Sequence, residues 1–251
     1  MLYDSISVQE VVDSASAHEF LKQATQLASS GALEDTGRRL EQKARTVQEF
    51  LAPRALDALG AEGLKRLAGM MFGMRRQMAL LLRGNDIADL RAEIAELVHG
   101  AGAGSARLGR FVERVHGIEQ GWKVTLAAEL LHYAQPSRYW LCSRWMWDPA
   151  TRGGALPLVL QQGADLGGAT PAEEYENVGR AVAMVNAAGH AQGFADLGPG
   201  LFGTNVFLAC VYAVYMYTVF RMKLSQEFNR ILPELPELTR RILGVQRVEV
   251  E

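Results

Sequence analysis

Leu201–Phe220 reads LFGTNVFLACVYAVYMYTVF, twenty residues without one charged side chain. A helix needs about twenty apolar residues to cross a bilayer, so this run decides between a membrane span and a helix buried on every side. Gly203, Thr204 and Asn205 lie inside it, and amphipathic stretches surround it. The central helix of a helical protein has the same composition. The expectation is an all-α, multi-helix globular bundle around a buried C-terminal helix, from about Phe202 to Ile231, with no membrane contact.

The rest of the chain agrees with helices. Ser7-Val8-Gln9-Glu10 has capping-box spacing and predicts a helix to about Ala28. Leu33–Leu51 repeats apolar residues at helical spacing, and Gly60–Leu82 reads as one or two short helices rich in Met and Leu. Asn85 or Asp86 caps a helix over Ile87–His99, and Ser105 caps another to His116, with Gly117 as its left-handed terminator. Trp122–Tyr133 is a helix that Pro136 stops. Tyr139–Trp147 is a short helix or a packed loop. Thr170-Pro171-Ala172-Glu173 combines a cap, a first-turn proline and a capping-box glutamate, so a helix should run to about Gln192. A turn over Gly193–Gly200, a last helix over Glu237–Leu243 and a strand edge within Val245–Val250 complete the reading. The whole is one helical domain over 1–251, or two parts, 1–152 and 170–251, joined by a Gly-rich loop at 153–169.

Hydrophobic content of 49% with 22% charged residues marks a globular chain rather than a disordered one. A net charge of -2 gives no global basic field. The charge is uneven, however: residues 101–160 hold seven basic side chains against four acids, while the remainder is acidic. Two cysteines, Cys142 and Cys210, make neither a disulfide framework nor a four-thiolate metal site, which suggests a reduced, cytoplasmic protein. No signal peptide is visible at the N-terminus. The five histidines have no zinc-binding spacing, so neither a metal nor another cofactor is expected.

The basic island coincides with Val115–Pro149, VHGIEQGWKVTLAAELLHYAQPSRYWLCSRWMWDP. Gly117 and Gly121 flank a tight turn between two predicted helices, where glycine lets a backbone approach a ligand closely. The first amides of the second helix would suit a phosphate oxygen, and such a hairpin grips a nucleic-acid backbone without reading sequence. Tyr139, Trp140, Trp145 and Trp147 offer flat faces, and Arg110, Arg138 and Arg144 offer charge for phosphates. Packing competes with each assignment: the tryptophans equally suit a core, Lys123 a solvated surface, and His132 a satisfied core histidine.

Residues Gly117-Ile118, Gly121-Trp122-Lys123-Val124, the apolar run to His132-Tyr133, and Pro136-Ser137-Arg138-Tyr139 resemble the helix-hairpin-helix DNA glycosylase superfamily over roughly 45 residues. The resemblance implies a DNA partner and a base-excising N-glycosylase, in repair or in defence against foreign DNA. It implies Lys123 as the nucleophile at the sugar C1′, a carboxylate to steady the sugar cation, and a flipped base held among Trp122, His132, Tyr139, Trp140, Trp145 and Trp147. The family aspartate position falls at Cys142, which leaves Asp148 as the nearest downstream acid. Glu119 and Gln120 stand where the family hairpin usually has glycine. The alternatives are a helical DNA-binding or protein-interaction module without chemistry, and a small-molecule binder.

Overall fold

A computed structural model describes residues 11–194, 197, 202–223 and 233–248, with side chains left out at 220–223. Eleven α-helices lie among them: α1 (Ser14–Leu27), α2 (Ser30–Leu51), α3 (Pro53–Asp57), α4 (Ala61–Gly69), α5 (Met74–Gly84), α6 (Ile87–His99), α7 (Gly104–Arg114), α8 (Gln120–Ala134), α9 (Pro171–Gln192), α10 (Gly203–Lys223) and α11 (Leu235–Ile242). The described residues contain no strand, only a 3-10 turn at Leu156–Leu158 and two isolated bridges. The fold is all-α.

The local signals that start these helices are visible. Asp13 caps α1, its Oδ1 accepting from the Ser16 amide at 3.1 Å. Asp86 caps α6, accepting from the Ala88 amide at 2.7 Å. At α9 the Thr170 hydroxyl accepts from the Glu173 amide at 3.2 Å, while Glu173 reaches back to the Ala169 amide at 2.8 Å. This is a capping box displaced by one residue on its return side. Proline enters the first turn of α3 and of α11, where its missing N–H costs nothing.

Two local expectations need correction, and one alternative is decided. Ser105 does not cap α7; Ala103 holds the cap position, and the Ser105 hydroxyl donates to Glu176 at 2.5 Å. Gly117 is left-handed, at φ 85°, but α7 has already ended at extended Val115. Tyr139–Trp147 is a packed loop without helix. The Ser7 capping box, much of the Gly193–Gly200 turn, the helix end at 224–231 and the tail from 249 lie outside the described residues. Residues 245–248 form no strand.

The chain divides into two compact units. The first contains Met1–Leu40, Trp145–Ala164 and Ala181–Glu251; the second contains Glu41–Arg144 and Asp165–Arg180. Each is built around one helix with a long buried stretch. In the first unit that helix is α10, whose residues from Gly203 to Val211 are all buried, with α1 and α11 packed on it. Two of its polar residues lie within that buried stretch: Thr204 and Asn205 are each 1% exposed, and Asn186 donates to the Thr204 hydroxyl at 2.7 Å. No helix among the described residues is long and apolar enough to cross a membrane. In the second unit the central helix is α8, buried from Val124 to Tyr133 and contacted by α5, α6 and α7.

Candidate functional site

The turn between α7 and α8 is held by close backbone packing. A Cβ on Gly117 would fall 2.4 Å from the Leu80 carbonyl oxygen, and one on Gly84 would fall 2.7 Å from the Gly117 Cα. Glycine at both positions therefore seats the turn against the end of α5. Asn85 fixes it further, donating to the His116 carbonyl and accepting from the His116 amide, both at 2.9 Å. Glu119 occupies the cap position of α8 without a side-chain bond to it. Gly121 lies in the first helical turn beside Arg144, whose Cδ would be 3.7 Å from a Cβ there.

Three expected site residues gather at this end of α8. The Arg144 guanidinium lies 4.8 Å from the Trp122 ring centroid and 3.9 Å from the Glu119 carboxylate. Trp122 in turn lies on Gly73, where a Cβ would come within 2.4 Å of the ring. The half-buried Lys123 ammonium donates to the Val112 carbonyl at 3.0 Å, so it caps the C-terminal turn of α7. The basic island is partly consumed by the fold itself. Arg107 is buried and bonded to the Leu97 carbonyl at 2.6 Å and the Tyr139 hydroxyl at 2.5 Å. Arg110 pairs with Glu96 at 3.0 Å and Arg114 with Glu93 at 3.4 Å. Arg138 is exposed, 5.4 Å from the Tyr139 ring centroid.

The expected base-pocket rings are mostly packed. His132 is 2% exposed, its Nδ1 is 2.7 Å from the Tyr139 carbonyl, and burial pulls it down to about 4, so it stays neutral. Tyr139 is 8% exposed, its ring covering Gly104. Trp140 is half-buried beside Gly179. Trp145, Trp147 and Asp148 belong to the first unit. There Trp145 is 1% exposed, 6.3 Å from the Tyr212 ring. The Trp147 Nε1 is buried with no hydrogen-bond partner among the described residues. Asp148 opens a turn to Gly153, its carboxylate accepting from the Ala150 amide at 3.2 Å and raising the Tyr212 hydroxyl, already lifted by burial.

The chemistry that sequence reading missed lies inside the second unit. Lys43 and Glu129, 0% and 2% exposed, face each other at 3.6 Å. The Ser143 hydroxyl donates to Glu129 at 3.1 Å, and the Phe72 amide donates as well. The Lys43 ammonium sits 4.0 Å above the Tyr133 ring, a favourable cation–π position. Burial pulls Lys43 down to about 8 against the pull of Glu129, and it raises Glu129 despite Lys43. Both carry a detectable signal. Lys43 falls on the buried stripe Leu40, Ala44, Val47, Leu51 of α2, and Glu129 interrupts the apolar run of α8. Two opposite charges on two apolar stripes point to a buried pair.

The cysteines are inert. Burial pushes the Cys210 thiol up to about 12 and the Cys142 thiol higher still, so neither is a thiolate at neutral pH. Groups that could hold a metal are absent among the described residues. A surface depression of about 310 Å³ borders the hairpin, but Asp86, Asp89 and Glu93 outnumber Arg114 and His116 along it, which disfavours phosphate. No family model, no curated protein and no solved structure matches this chain.

Proposed function

We propose that the chain is a DNA-acting helical protein that holds a duplex through the turn between α7 and α8, and that it excises a base with Lys123 as nucleophile. The observation that supports this reading best is the hairpin. Five residues with a left-handed glycine join the two helices, no side chain caps α8, and Lys123 and Arg144 lie at that end. Uncapped first-turn amides and a neighbouring guanidinium suit a phosphate oxygen. In the excision step the Lys123 nitrogen bonds to C1′ as the N-glycosidic bond breaks; the base leaves with that bond's electron pair and takes up the proton the nitrogen gives off, and water then hydrolyses the Lys123–C1′ link. A carboxylate would steady the sugar cation; Asp148 is the acid that the sequence offers for that role.

The test uses a duplex carrying one modified base, read for binding and for base release. The native protein should bind with marked salt sensitivity, because phosphate contacts release counterions, and should release the base. Lys123→Ala and Asp148→Asn should fold and bind but release none. Absence of salt-sensitive duplex binding by the native protein sinks the proposal.

A second reading has its own observation. His132, Tyr139 and Trp145, three of the expected base-pocket rings, are 2%, 8% and 1% exposed, and Lys123 is bonded as a helix cap. These facts favour a hairpin module that binds without chemistry. It predicts duplex binding that survives Lys123→Ala and no base release by the native protein on any modified base tried.

A further inference from the structure

Between Glu62 and Asp86 the chain has five basic residues and no acid: Lys65, Arg66, Arg75, Arg76 and Arg83. Three of them fall on α5. Met74, Met78 and Leu81 point that helix into the core, and Arg75, Arg76, Ala79, Leu80 and Arg83 form its exposed face. These five positions follow one stripe of a 3.6-residue period. Nothing on the helix balances them. Arg75, Arg76 and Arg83 make no ion pair among the described residues, and Arg83 bonds only to the Ala79 carbonyl, at 3.1 Å. The first turn of α5 holds two arginines and no acid. That placement opposes the positive end of the helix dipole and is unfavourable in the protein alone.

The same helix supports the hairpin at both ends. Gly73, its cap residue, receives the Trp122 ring; Gly84, its last residue, receives Gly117. The arginine face is therefore carried by the element against which the α7–α8 turn is seated. Arg75 and Arg83 are eight residues apart, roughly 12 Å along the helix, far enough to meet more than one phosphate of a strand. Along the sequence the acids that follow, Asp86 and Asp89, begin beyond Gly84. Arg75 and Arg76 closely follow Gly73, the residue that receives the Trp122 ring, and that ring carries the Arg144 guanidinium, itself 3.9 Å from Glu119.

We propose that the exposed face of α5, through Arg75, Arg76 and Arg83, is a docking surface for the sugar–phosphate backbone of a nucleic-acid duplex. Charge complementarity selects this occupant: guanidinium groups with no ion pair among the described residues match phosphates, and the face holds two apolar side chains, Ala79 and Leu80, the latter 44% exposed. The proposal rests on the hairpin reading for its partner but on different residues for its contacts.

The experiment measures binding of the full chain to a 20-base-pair duplex across a salt series. It uses the native protein, Arg75→Ala/Arg76→Ala/Arg83→Ala, and Gly121→Asp in the hairpin, with circular dichroism to verify the fold. Each lost phosphate contact lowers the slope of log affinity against log salt by about 0.9. The triple variant should lose about 2 to 3 from that slope and bind at least about tenfold more weakly. An unchanged slope and affinity in the triple variant, with binding lost in Gly121→Asp, overturns this surface and leaves the hairpin reading standing. The opposite pattern supports the surface and removes the hairpin. A native protein that binds no duplex overturns both. A variant lacking all three arginines that binds acidic polypeptide as weakly as the native protein, yet loses duplex binding, supports the duplex as occupant. Native binding to polyglutamate as tight as to the duplex overturns it.

Discussion

Lys43 and Glu129 form a costly arrangement, because each charge has left water. Their mutual attraction, the Ser143 and Phe72 donors and the Tyr133 ring offset that cost. A buried pair adds little net stability over a well-packed apolar substitute, whereas a lone buried charge costs about 3 to 5 kcal/mol. Lys43→Met and Glu129→Leu should therefore each lower stability by about 3 to 5 kcal/mol in urea denaturation. The double variant should recover most of that loss. If the two single losses simply add in the double variant, the pair is not coupled as the 3.6 Å geometry requires.

At the scale of elements, two left-handed glycines separate backbone strain from crowding. Gly102 has φ 90° and open space where a Cβ would stand; Gly117 has φ 85° and the Leu80 carbonyl 2.4 Å away. Alanine at 102 meets only the left-handed penalty, about 1 to 2 kcal/mol. Alanine at 117 meets that penalty and must also push the turn off α5. Thermal melting should thus show a distinctly larger fall in Tm for Gly117→Ala than for Gly102→Ala. Equal falls would mean that the turn yields freely and that its seat on α5 is weak. The Gly117→Ala variant should also bind the duplex less well if the hairpin grips it.

Across the whole molecule, the buried neutral histidine ties stability to pH. His132 is held down to about 4 inside the fold, against about 6.5 when unfolded. Between those values the unfolded chain binds the extra proton, so this stabilisation is complete above about pH 6.5 and is lost as pH falls toward 4. The amount is on the order of 3 kcal/mol. Glu129, raised by burial, acts in the opposite direction above its usual range, so the native curve alone blends the two. Comparison with His132→Gln isolates the histidine: urea midpoints at pH 7 and pH 5 should differ less in the variant. An identical pH dependence in both proteins would show that His132 is not held neutral.

The sequence by itself determined the helix class and most helix positions, because periodicity, caps and prolines act within a few residues. Asp86, Thr170 and Pro171 set their helices locally, and the uncharged run from Leu201 to Phe220 pointed to a buried helix, which α10 is from Gly203 to Val211. It also placed Gly117, Trp122 and Lys123 near one turn, while Arg144 came to it only in the fold. Only tertiary structure decided what those groups touch. Lys123 meets a carbonyl eleven residues back, Gly117 meets a helix that ends at Gly84, and Lys43 meets Glu129 across 86 positions. It also made α8 a second central helix, packed His132, Tyr139 and Trp145 away from solvent, and left the arginines of α5 facing it. The physical reason is range: caps and periodicity are local, whereas burial and charge pairing depend on residues that meet only when the chain has folded.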